Sequence, residues 1–145
     1  MGEVRAGEAL DMLQAMNTGH DGSLTTIHAN SPRDAFARLE TMVMMAGLEL
    51  PSRAIREQAV SALNFVIHVR RFGDGVRRVE RIAEVTGIEG TTPQLQDLYV
   101  FKQRNSGGTA IHGEFQATGI IPRIVESLTA RGIDIPKNEL FGRNV

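Results

Sequence analysis

The chain has 145 residues, 41% of them apolar, and its sixteen lysines and arginines nearly balance its seventeen aspartates and glutamates. This size and composition predict one ordinary globular domain, and the balanced charge provides no overall field that would favour nucleic acid or an anionic membrane. The absence of cysteine excludes disulfides and thiolate metal ligands, and no apolar run reaches the roughly 18 to 20 residues that cross a bilayer, so we expect a soluble protein of the cytosol.

The first two predicted elements are a helix and a strand. Glu8 to Asn17 carries apolar residues at helical spacing, and Gly19 follows as a common helix stop. Ser23 to Ala29 is short, rich in β-branched residues and bounded by turn-forming residues, which is typical of a buried strand. His20 and His28 therefore lie at the two sides of this strand.

Two further helices are predicted next. Ser31 followed by Pro32 favours a helix start, because serine caps free backbone amides and proline at the first helical position loses no hydrogen bond. Gly47 closes this helix. Its apolar face consists of Phe36, Leu39, Val43 and Ala46. We expect its methionines, Met42, Met44 and Met45, to fill the core. The second helix begins near Pro51.

The pattern changes from helix to strand after residue 64. Residues 65–72 and 76–85 are predicted to form a β-hairpin around Gly73-Asp74-Gly75, because Asp-Gly permits the positive φ values of tight turns. Residues 94–102 predict another strand, and residues 105–109 predict a turn or flexible loop. The last predicted helix runs from Ile121 to Arg131.

The order of these elements indicates an α/β fold whose first strand is incomplete. Val4 resembles the end of a strand, because the apolar residues that should precede it are missing. An α/β sheet needs several neighbouring strands, and residues 1–64 supply only one complete candidate. We therefore expect the chain to be cut at its start.

Glu3, Asp21, His20 and His28 are the residues best suited to carry chemistry. Histidines and carboxylates bind zinc, although this spacing matches no common metal pattern, and ordinary solvated histidines are the simplest interpretation. The third interpretation is a nucleotide site, because ligands gather at the carboxyl ends of parallel strands, where Glu3 and His28 are expected to lie. The residues alone leave these three interpretations open.

A nucleotide site would use these side chains in different ways. A carboxylate can hold the water shell of Mg²⁺ or orient an attacking water, and an imidazole can hydrogen-bond a terminal phosphate. Arg5 is either a contact to phosphate or a neighbouring subunit, or an ordinary surface arginine. No segment matches Gly-x-x-x-x-Gly-Lys-Ser/Thr, so the sequence lacks the loop that wraps phosphates in backbone amides.

Arginines also cluster on the predicted hairpin, where two interpretations compete. They lack interleaved aromatic residues and lie near acidic residues, a pattern that favours a solvated charged ribbon over a nucleic-acid surface. The cluster consists of Arg70, Arg71, Arg77, Arg78 and Arg81.

Several motifs together resemble one protein family. The opening Gly2-Glu3-Val4-Arg5 resembles the end of a Walker B motif, and the segment from Gly19 to Ala29, with Thr26-Ile27-His28-Ala29 at its end, resembles a histidine box. Both resemble the C-terminal part of the motor domain in type II/type IV secretion ATPases, specifically the tight-adherence (Tad/Flp) pilus branch called CpaF or TadA. The similarity continues through EVTG (84–87), LQDL (95–98) and ATGI (117–120), and so covers nearly the whole chain.

This resemblance implies a RecA-like P-loop NTPase fold that uses ATP and Mg²⁺. It implies that Glu3 is the Walker B acid acting on Mg²⁺ through water, that His20 and His28 lie near the γ-phosphate, and that Arg5 is a weaker nucleotide contact. It also implies a homo-hexamer on the cytoplasmic face of the inner membrane. There the hexamer would meet the platform proteins of a pilus or secretion system, associate peripherally with the membrane and bind no nucleic acid.

Two departures from the family pattern affect these expectations. Ala6 stands where this branch usually has glycine, and the Walker A loop is expected upstream of Met1. We therefore expect ATP hydrolysis in a full-length parent and none in this chain alone. We expect residues 1–104 to complete the ATPase core, including the hairpin, and residues 105–145 to form a C-terminal extension with one helix. The alternative is a non-catalytic oligomerisation or partner-binding remnant.

Overall fold

The computed structural model describes residues 3–47, 49–104 and 108–142. The described helices are a 3₁₀ turn (Ala6–Glu8), α1 (Ala9–Asn17), α2 (Pro32–Met45), α3 (Ser52–Ala62), α4 (Ile124–Ala130) and α5 (Lys137–Phe141). The described strands are β1 (Phe65–Arg71), β2 (Arg77–Glu89), β3 (Thr92–Arg104) and β4 (His112–Ala117). This mixture of helices and strands confirms the α/β class, whereas a RecA-like core stays a prediction.

The chain folds into two compact units. The first comprises Met1–Val66 and Val85–Leu95, and the second comprises Ile67–Glu84 and Gln96–Val145. The strands β2 and β3 each contribute residues to both units. The domain boundary expected after residue 104 stays a prediction. None of the described helices is both long and apolar enough to span a membrane.

The first unit has a helical core built by α1, α2 and α3. Its buried members are Val4, Ala9, Leu10, Leu13, Phe36, Leu39, Val43, Ile55 and Ala59. The predicted starts of α2 and α3 are confirmed within a residue, and Ser31 caps α2 as expected, since its hydroxyl accepts a hydrogen bond from the Asp34 amide at 3.0 Å. Gly47 follows α2 with a φ of +80°, a conformation that glycine adopts without strain.

The strand predicted for residues 23–29 is wrong in its extent and burial. Among the described residues, Thr26 forms a single bridge, parallel to Glu3, and this bridge does not extend into a ladder. Thr26 and His28 are exposed, while Thr25, Ile27 and Ala29 are half-buried. The β-branched residues favour an extended backbone, but a regular strand also needs a neighbour along its length, and in the described part of the chain the segment pairs with Glu3 and Val4 alone.

The prediction for the methionines is confirmed at one position and wrong at two. Met42 packs against the helical core. Met44 and Met45 instead have 54% and 73% of their surface exposed. They lie at the end of α2, past the turn whose Leu39 and Val43 face the core, so the helical period directs them to solvent.

The four strands form one antiparallel sheet in the order β1-β2-β3-β4. The hairpin predicted around Gly73-Asp74-Gly75 is confirmed: the Phe72 amide donates to the Val76 carbonyl at 2.9 Å, and Gly75 has a φ of +81°. The strands β2 and β3 are each longer than predicted, and they run on to a tight turn at Gly90 and Thr91.

Two elements near the end of the chain were not predicted. The strand β4 pairs with β3, in a register that runs from Tyr99 opposite Ala117 to Arg104 opposite His112. The short helix α5 follows Pro136. Of the loop predicted for residues 105–109, residues 105–107 lie outside the described residues.

The last predicted helix is present but shorter than expected. It forms α4, which starts at Ile124 rather than at residue 121. A buried carboxylate lies at its start: Glu84 accepts hydrogen bonds from the Arg123 backbone amide at 2.9 Å and from the Gln96 side chain at 2.6 Å. Because Glu84 belongs to β2, this contact ties the helix start to the sheet within the second unit.

Candidate functional site

The candidate site begins with a short parallel pairing in the first unit. The Val4 amide donates to the Thr26 carbonyl at 3.0 Å, next to the bridge between Glu3 and Thr26. Val4 is buried in the helical core, and Ile27 packs against that core. The two backbone segments are therefore held in place by burial, while the side chains on their outer side remain in solvent.

Glu3 and His28 meet on this outer side. The Nε2 atom of His28 lies 3.2 Å from Oε1 of Glu3, and the two side chains are 81% and 51% exposed, respectively. Side chains alternate between the two sides of an extended segment, so Thr26 and His28 lie on the same side. Glu3 is the bridge partner of Thr26 and therefore lies close to His28. The structure thus brings together the two residues that were expected to share one edge.

The segment after His28 is fixed by the start of α2. The Asn30 amide donates to the Asp34 carboxylate at 2.9 Å, while the Asp34 amide donates to the Ser31 hydroxyl. This reciprocal pattern satisfies backbone donors at the helix start in the manner of a capping box. His28 is therefore three residues from a rigid helix start.

His20 lies in a different environment. Its Nδ1 atom is 3.1 Å from the Ala15 carbonyl oxygen at the end of α1, and its own carbonyl accepts a hydrogen bond from the Ser23 hydroxyl at 2.6 Å. The flanking Gly19 and Gly22 have positive φ values of +98° and +79°. His20 thus lies in a tight loop, and its ring contacts the end of α1. Within the described structure, the ring makes no hydrogen bond to Glu3 or His28.

Arg5 and Asp21 do not join the pair. Arg5 is exposed, with extended backbone, and its carbonyl accepts the Glu8 amide at 2.9 Å as the 3₁₀ turn begins. Asp21 is exposed in the loop after His20. In the described part of the chain neither side chain forms an ion pair, so both remain accessible to a ligand or to solvent.

The donor set argues against a zinc site and is compatible with a water-bridged magnesium ion. Over residues 3–47, 49–104 and 108–142, no three histidine, aspartate or glutamate side chains lie close enough together to hold a metal ion. The zinc interpretation therefore has no structural support. Mg²⁺ keeps most of its water shell and needs only one or two carboxylates, a role that the half-exposed Glu3 can fill.

Most arginines of the hairpin are neutralised by nearby carboxylates. Arg78 forms two hydrogen bonds to Asp74, at 3.0 and 2.7 Å. The other ion pairs are Arg70 with Glu80 at 3.1 Å and Arg81 with Asp97 at 3.2 Å. Cations already paired with carboxylates are poor phosphate ligands, so the contacts favour the charged ribbon over the nucleic-acid surface.

A buried acidic residue, Glu40, was not singled out from the sequence. It lies on α2 and accepts hydrogen bonds from the Ser52 hydroxyl and from Arg56, whose Nε is 2.5 Å away. Burial raises the pKa of Glu40, but these two hydrogen bonds outweigh it and leave the pKa below its usual value. Arg56 also donates to the Thr91 carbonyl at 2.8 Å. The only sequence signal was a glutamate on the core side of α2, between Leu39 and Val43.

Comparison with known proteins settles the family. Residues 1–116 match the model of the type II/IV secretion system protein family. The chain belongs to this family. The matched range includes the Glu3–His28 pair, His20 and the hairpin, so the resemblance carried by the Walker B end and the histidine box is confirmed at the level of the family.

Three relatives illustrate the range of the family. A Mycobacterium tuberculosis protein named for conjugal transfer is 34% identical over 112 residues, which are 77% of this chain and 31% of the relative. The conjugal transfer protein TrbB of Rhizobium radiobacter is 41% identical over 90 residues, 62% of this chain and 25% of the relative. The type IV secretion system protein PtlH of Bordetella pertussis is 41% identical over 93 residues, 62% of this chain and 27% of the relative. The chain thus spans less than a third of each relative's length.

Proposed function

We propose that this chain supplies part of the hydrolytic machinery of a secretion or pilus ATPase. The carrying observation is the contact between Glu3 and His28, two side chains 25 positions apart that meet on a solvent-facing edge within the family match. Neither residue is needed there for folding, because the adjacent Val4 and Ile27 supply the packing. A carboxylate beside an imidazole on an accessible edge suits a ligand that carries a cation and phosphate oxygens.

Each residue has a proposed role in this machinery. Mg²⁺, when bound with ATP, would neutralise developing charge on the phosphates. Glu3 would hold the water shell of the cation and orient the attacking water, and His28 would donate a hydrogen bond to a terminal phosphate oxygen. His20, tied to α1, would line the same region from its loop. Arg5 is a further nucleotide contact because it is exposed two residues from Glu3.

The finer assignments are also proposals. We place the chain in a RecA-like P-loop NTPase core, over residues 1–104, with residues 105–145 as a C-terminal extension, and we assign it to the tight-adherence pilus branch. The motifs at residues 2–5 and 19–29 support the tight-adherence branch, and the relatives named for conjugal transfer and type IV secretion support a secretion ATPase. The proposal includes a homo-hexamer at the cytoplasmic face of the inner membrane, in contact with platform proteins of the secretion or pilus system.

A second candidate function is a non-catalytic oligomerisation or partner-binding module. One observation favours it. Alternate apolar residues of β1 are exposed: Phe65 by 38%, Ile67 by 60% and Val69 by 51%. An apolar strand at the end of a sheet is a surface to which another chain can attach.

The ATPase role and the non-catalytic role can be distinguished by measuring ATP binding and turnover of two proteins: the chain alone, and the chain joined to a segment that carries a phosphate-binding loop. The purified chain should bind Mg²⁺-ATP weakly and not hydrolyse it, because it has no phosphate-binding loop. Joined to a segment that carries this loop, it should turn over ATP. Turnover by the chain alone, at roughly one per second or faster, would contradict the proposed division of the site. A joined protein that binds ATP without turnover would favour the non-catalytic module.

A further inference from the structure

The strand β1 lies at one end of the sheet, so one of its two edges is unpaired within the described part of the chain. Two backbone hydrogen bonds flank the strand: the Phe72 amide donates to the Val76 carbonyl at 2.9 Å, and the Val85 amide donates to the Asn64 carbonyl at 2.8 Å. In an antiparallel pair, the backbone groups of successive residues point alternately toward the neighbouring strand and away from it. The even-numbered residues of β1 therefore direct their N–H and C=O groups to β2, and the odd-numbered residues direct theirs to the free edge.

The same odd-numbered residues carry exposed side chains. Ile67 is 60% exposed and Val69 is 51% exposed, and Arg71 is exposed at the end of the strand. His68 lies between the two apolar residues and is buried on the other side, where its Nδ1 is 2.9 Å from the Glu80 carboxylate. Proteins usually protect a sheet edge with charged residues or proline, because an unprotected edge pairs with another strand. The exposed side of β1 has neither at residues 67 and 69.

A second copy of β1 matches this edge along its full length. The strand runs from Phe65 to Arg71, and an antiparallel register centred on His68 uses all of it. In this register Ile67 of one copy lies opposite Val69 of the other, and Phe65 lies opposite Arg71. All these positions are odd-numbered, so their backbone groups point at one another, as antiparallel pairing requires. Two-fold symmetry repeats each pair, and the surface is therefore complementary to itself.

The distribution of charge selects the antiparallel direction. This direction places the two Arg71 side chains at opposite ends of the paired strands, about 20 Å apart, which exceeds the screening length of about 8 Å at physiological ionic strength. Each guanidinium instead lies opposite the ring of Phe65, and aromatic rings attract such cations. A parallel pairing would place Arg70 beside Arg70 and Arg71 beside Arg71, and like charges directly opposite each other destabilise a sheet.

We propose that β1 binds β1 of a second copy of this chain in the antiparallel direction, so that two four-stranded sheets join into one. The proposal rests on the second candidate function, for which it names the partner and the register. It does not depend on the contact between Glu3 and His28, which lies in the first unit. Measurements of self-association therefore test the pairing, and ATP turnover tests the ATPase role separately.

The first test is the mass of the 145-residue chain in solution, measured by sedimentation over a range of concentrations. We expect an equilibrium between monomer and dimer. Val69→Lys should raise the dissociation constant roughly ten-fold or more, because it places a charge opposite Ile67 twice in each dimer. Met45→Lys is the matched control, since it makes the same kind of change at an apolar side chain that is 73% exposed on α2. It should leave the dissociation constant unchanged.

Two results of this experiment would overturn the proposal. The first is a monomer at every concentration. The second is a dimer that Val69→Lys does not weaken, which would leave the chain an oligomerisation module but assign the contact to a surface other than β1.

Amide hydrogen exchange of the unsubstituted chain tests the same edge without a variant. The amides of Ile67 and Val69 point to the free edge and should exchange more slowly as the protein concentration rises. The amide of His68, which points to β2, is the internal control and should not respond. Protection of Ile67 and Val69 that does not change with concentration would mean that another segment of the same chain covers the edge, and it would overturn the proposal.

Spin labels test the direction of the pairing. The chain has no cysteine, so Arg71→Cys provides a single site for a nitroxide label. Sedimentation establishes the concentration at which the labelled protein is dimeric, and pulsed electron paramagnetic resonance then measures the distance between the two labels. We expect a distance between the labelled backbone positions of about 20 Å, whereas about 5 Å would indicate parallel strands and contradict the proposed register.

Discussion

At the scale of single residues, the side of an extended segment on which a residue lies decides its role. Ile27 turns toward the helical core and His28, the next residue, turns to solvent, where Glu3 is within 3.2 Å. The sequence allowed this meeting to be predicted from the expectation that both residues end parallel segments. It did not allow the environment of His20 to be predicted, because the contact with Ala15 depends on a loop with two positive-φ glycines.

The two histidines should differ in their effect on catalysis. In an ATPase formed by joining this chain to a phosphate-binding loop, His28→Ala should lower turnover by roughly ten- to a thousand-fold, because it removes one hydrogen bond to the transition state. His20→Ala should have a milder effect. Turnover and ATP affinity of both variants provide the measurement, and we expect affinity to change less than turnover.

Thermal unfolding of the same variants is the control. If both histidines were only structural, each substitution would change stability by about 1 kcal/mol without a selective loss of turnover. If both variants lost turnover equally, and in proportion to their fall in melting temperature, a catalytic role for His20 and His28 would be excluded.

Asp74 should make the second unit sensitive to acid. The paired hydrogen bonds from Arg78 hold its pKa well below the usual range, with further help from the amides of Ile111 and Val76. A carboxylate with a lowered pKa stabilises the fold above its ordinary pKa of about 3.9, and this stabilisation is lost as the pH falls through the lowered value. Asp74→Asn should therefore lower the melting temperature at neutral pH.

The difference between wild type and Asp74→Asn should shrink as the pH is lowered below about 4, because the unfolded chain then takes up a proton at this carboxylate while the folded protein keeps it ionised. Melting curves over this range measure the effect. Asp21→Asn, at an exposed carboxylate that forms no ion pair with any described residue, is the control and should follow the wild type. A difference that stays constant with pH would show that the charge of Asp74 does not contribute.

At the scale of elements, local signals predicted helices better than strands. The Ser31-Pro32 start of α2 was correct because a cap depends on residues that are neighbours in the sequence. The strand expected at residues 23–29 reduces to one bridge, because a ladder depends on a distant partner. The strand β4 was not predicted because its sequence, HGEFQA, has a single large apolar residue, Phe115. This segment forms a strand because it pairs with β3.

The pairing of β4 with β3 should depend on the absence of a side chain at residue 113. A Cβ atom at Gly113 would lie 2.5 Å from both the Lys102 carbonyl oxygen and the ring of Phe101. Gly113→Ala should therefore destabilise the second unit by about 1 to 3 kcal/mol, the usual effect of overpacking. Gly108→Ala, where an added Cβ meets no atom within 4 Å, is the matched control.

Denaturant unfolding of the two variants checks this prediction, and amide exchange in β4 locates the change. We expect faster exchange across β4 in Gly113→Ala alone. Equal stability of the two alanine variants would show that the sheet adjusts to the added methyl group, and it would contradict the close approach of Gly113 to β3.

At the scale of the whole molecule, the family was predictable and the division of the chain was not. The segments at residues 2–5 and 19–29, which resemble a Walker B end and a histidine box, are short local motifs, so they indicated the family that the match over residues 1–116 shows. The chain passes from one compact unit to the other after residues 66, 84 and 95, which lie in β1, β2 and β3. The first of these positions lies close to residue 64, where the sequence pattern changes from helix to strand, whereas no such change marks positions 84 and 95.

The substitution Glu3→Gln tests the central claim most directly, in the ATPase formed by joining this chain to a phosphate-binding loop. The amide keeps the shape of the side chain and removes the charge that would organise Mg²⁺ and water. We predict nearly unchanged ATP affinity and the loss of most turnover, measured by equilibrium binding and steady-state hydrolysis on the same preparation. Turnover equal to that of the unsubstituted protein would exclude Glu3 from the site and contradict the account.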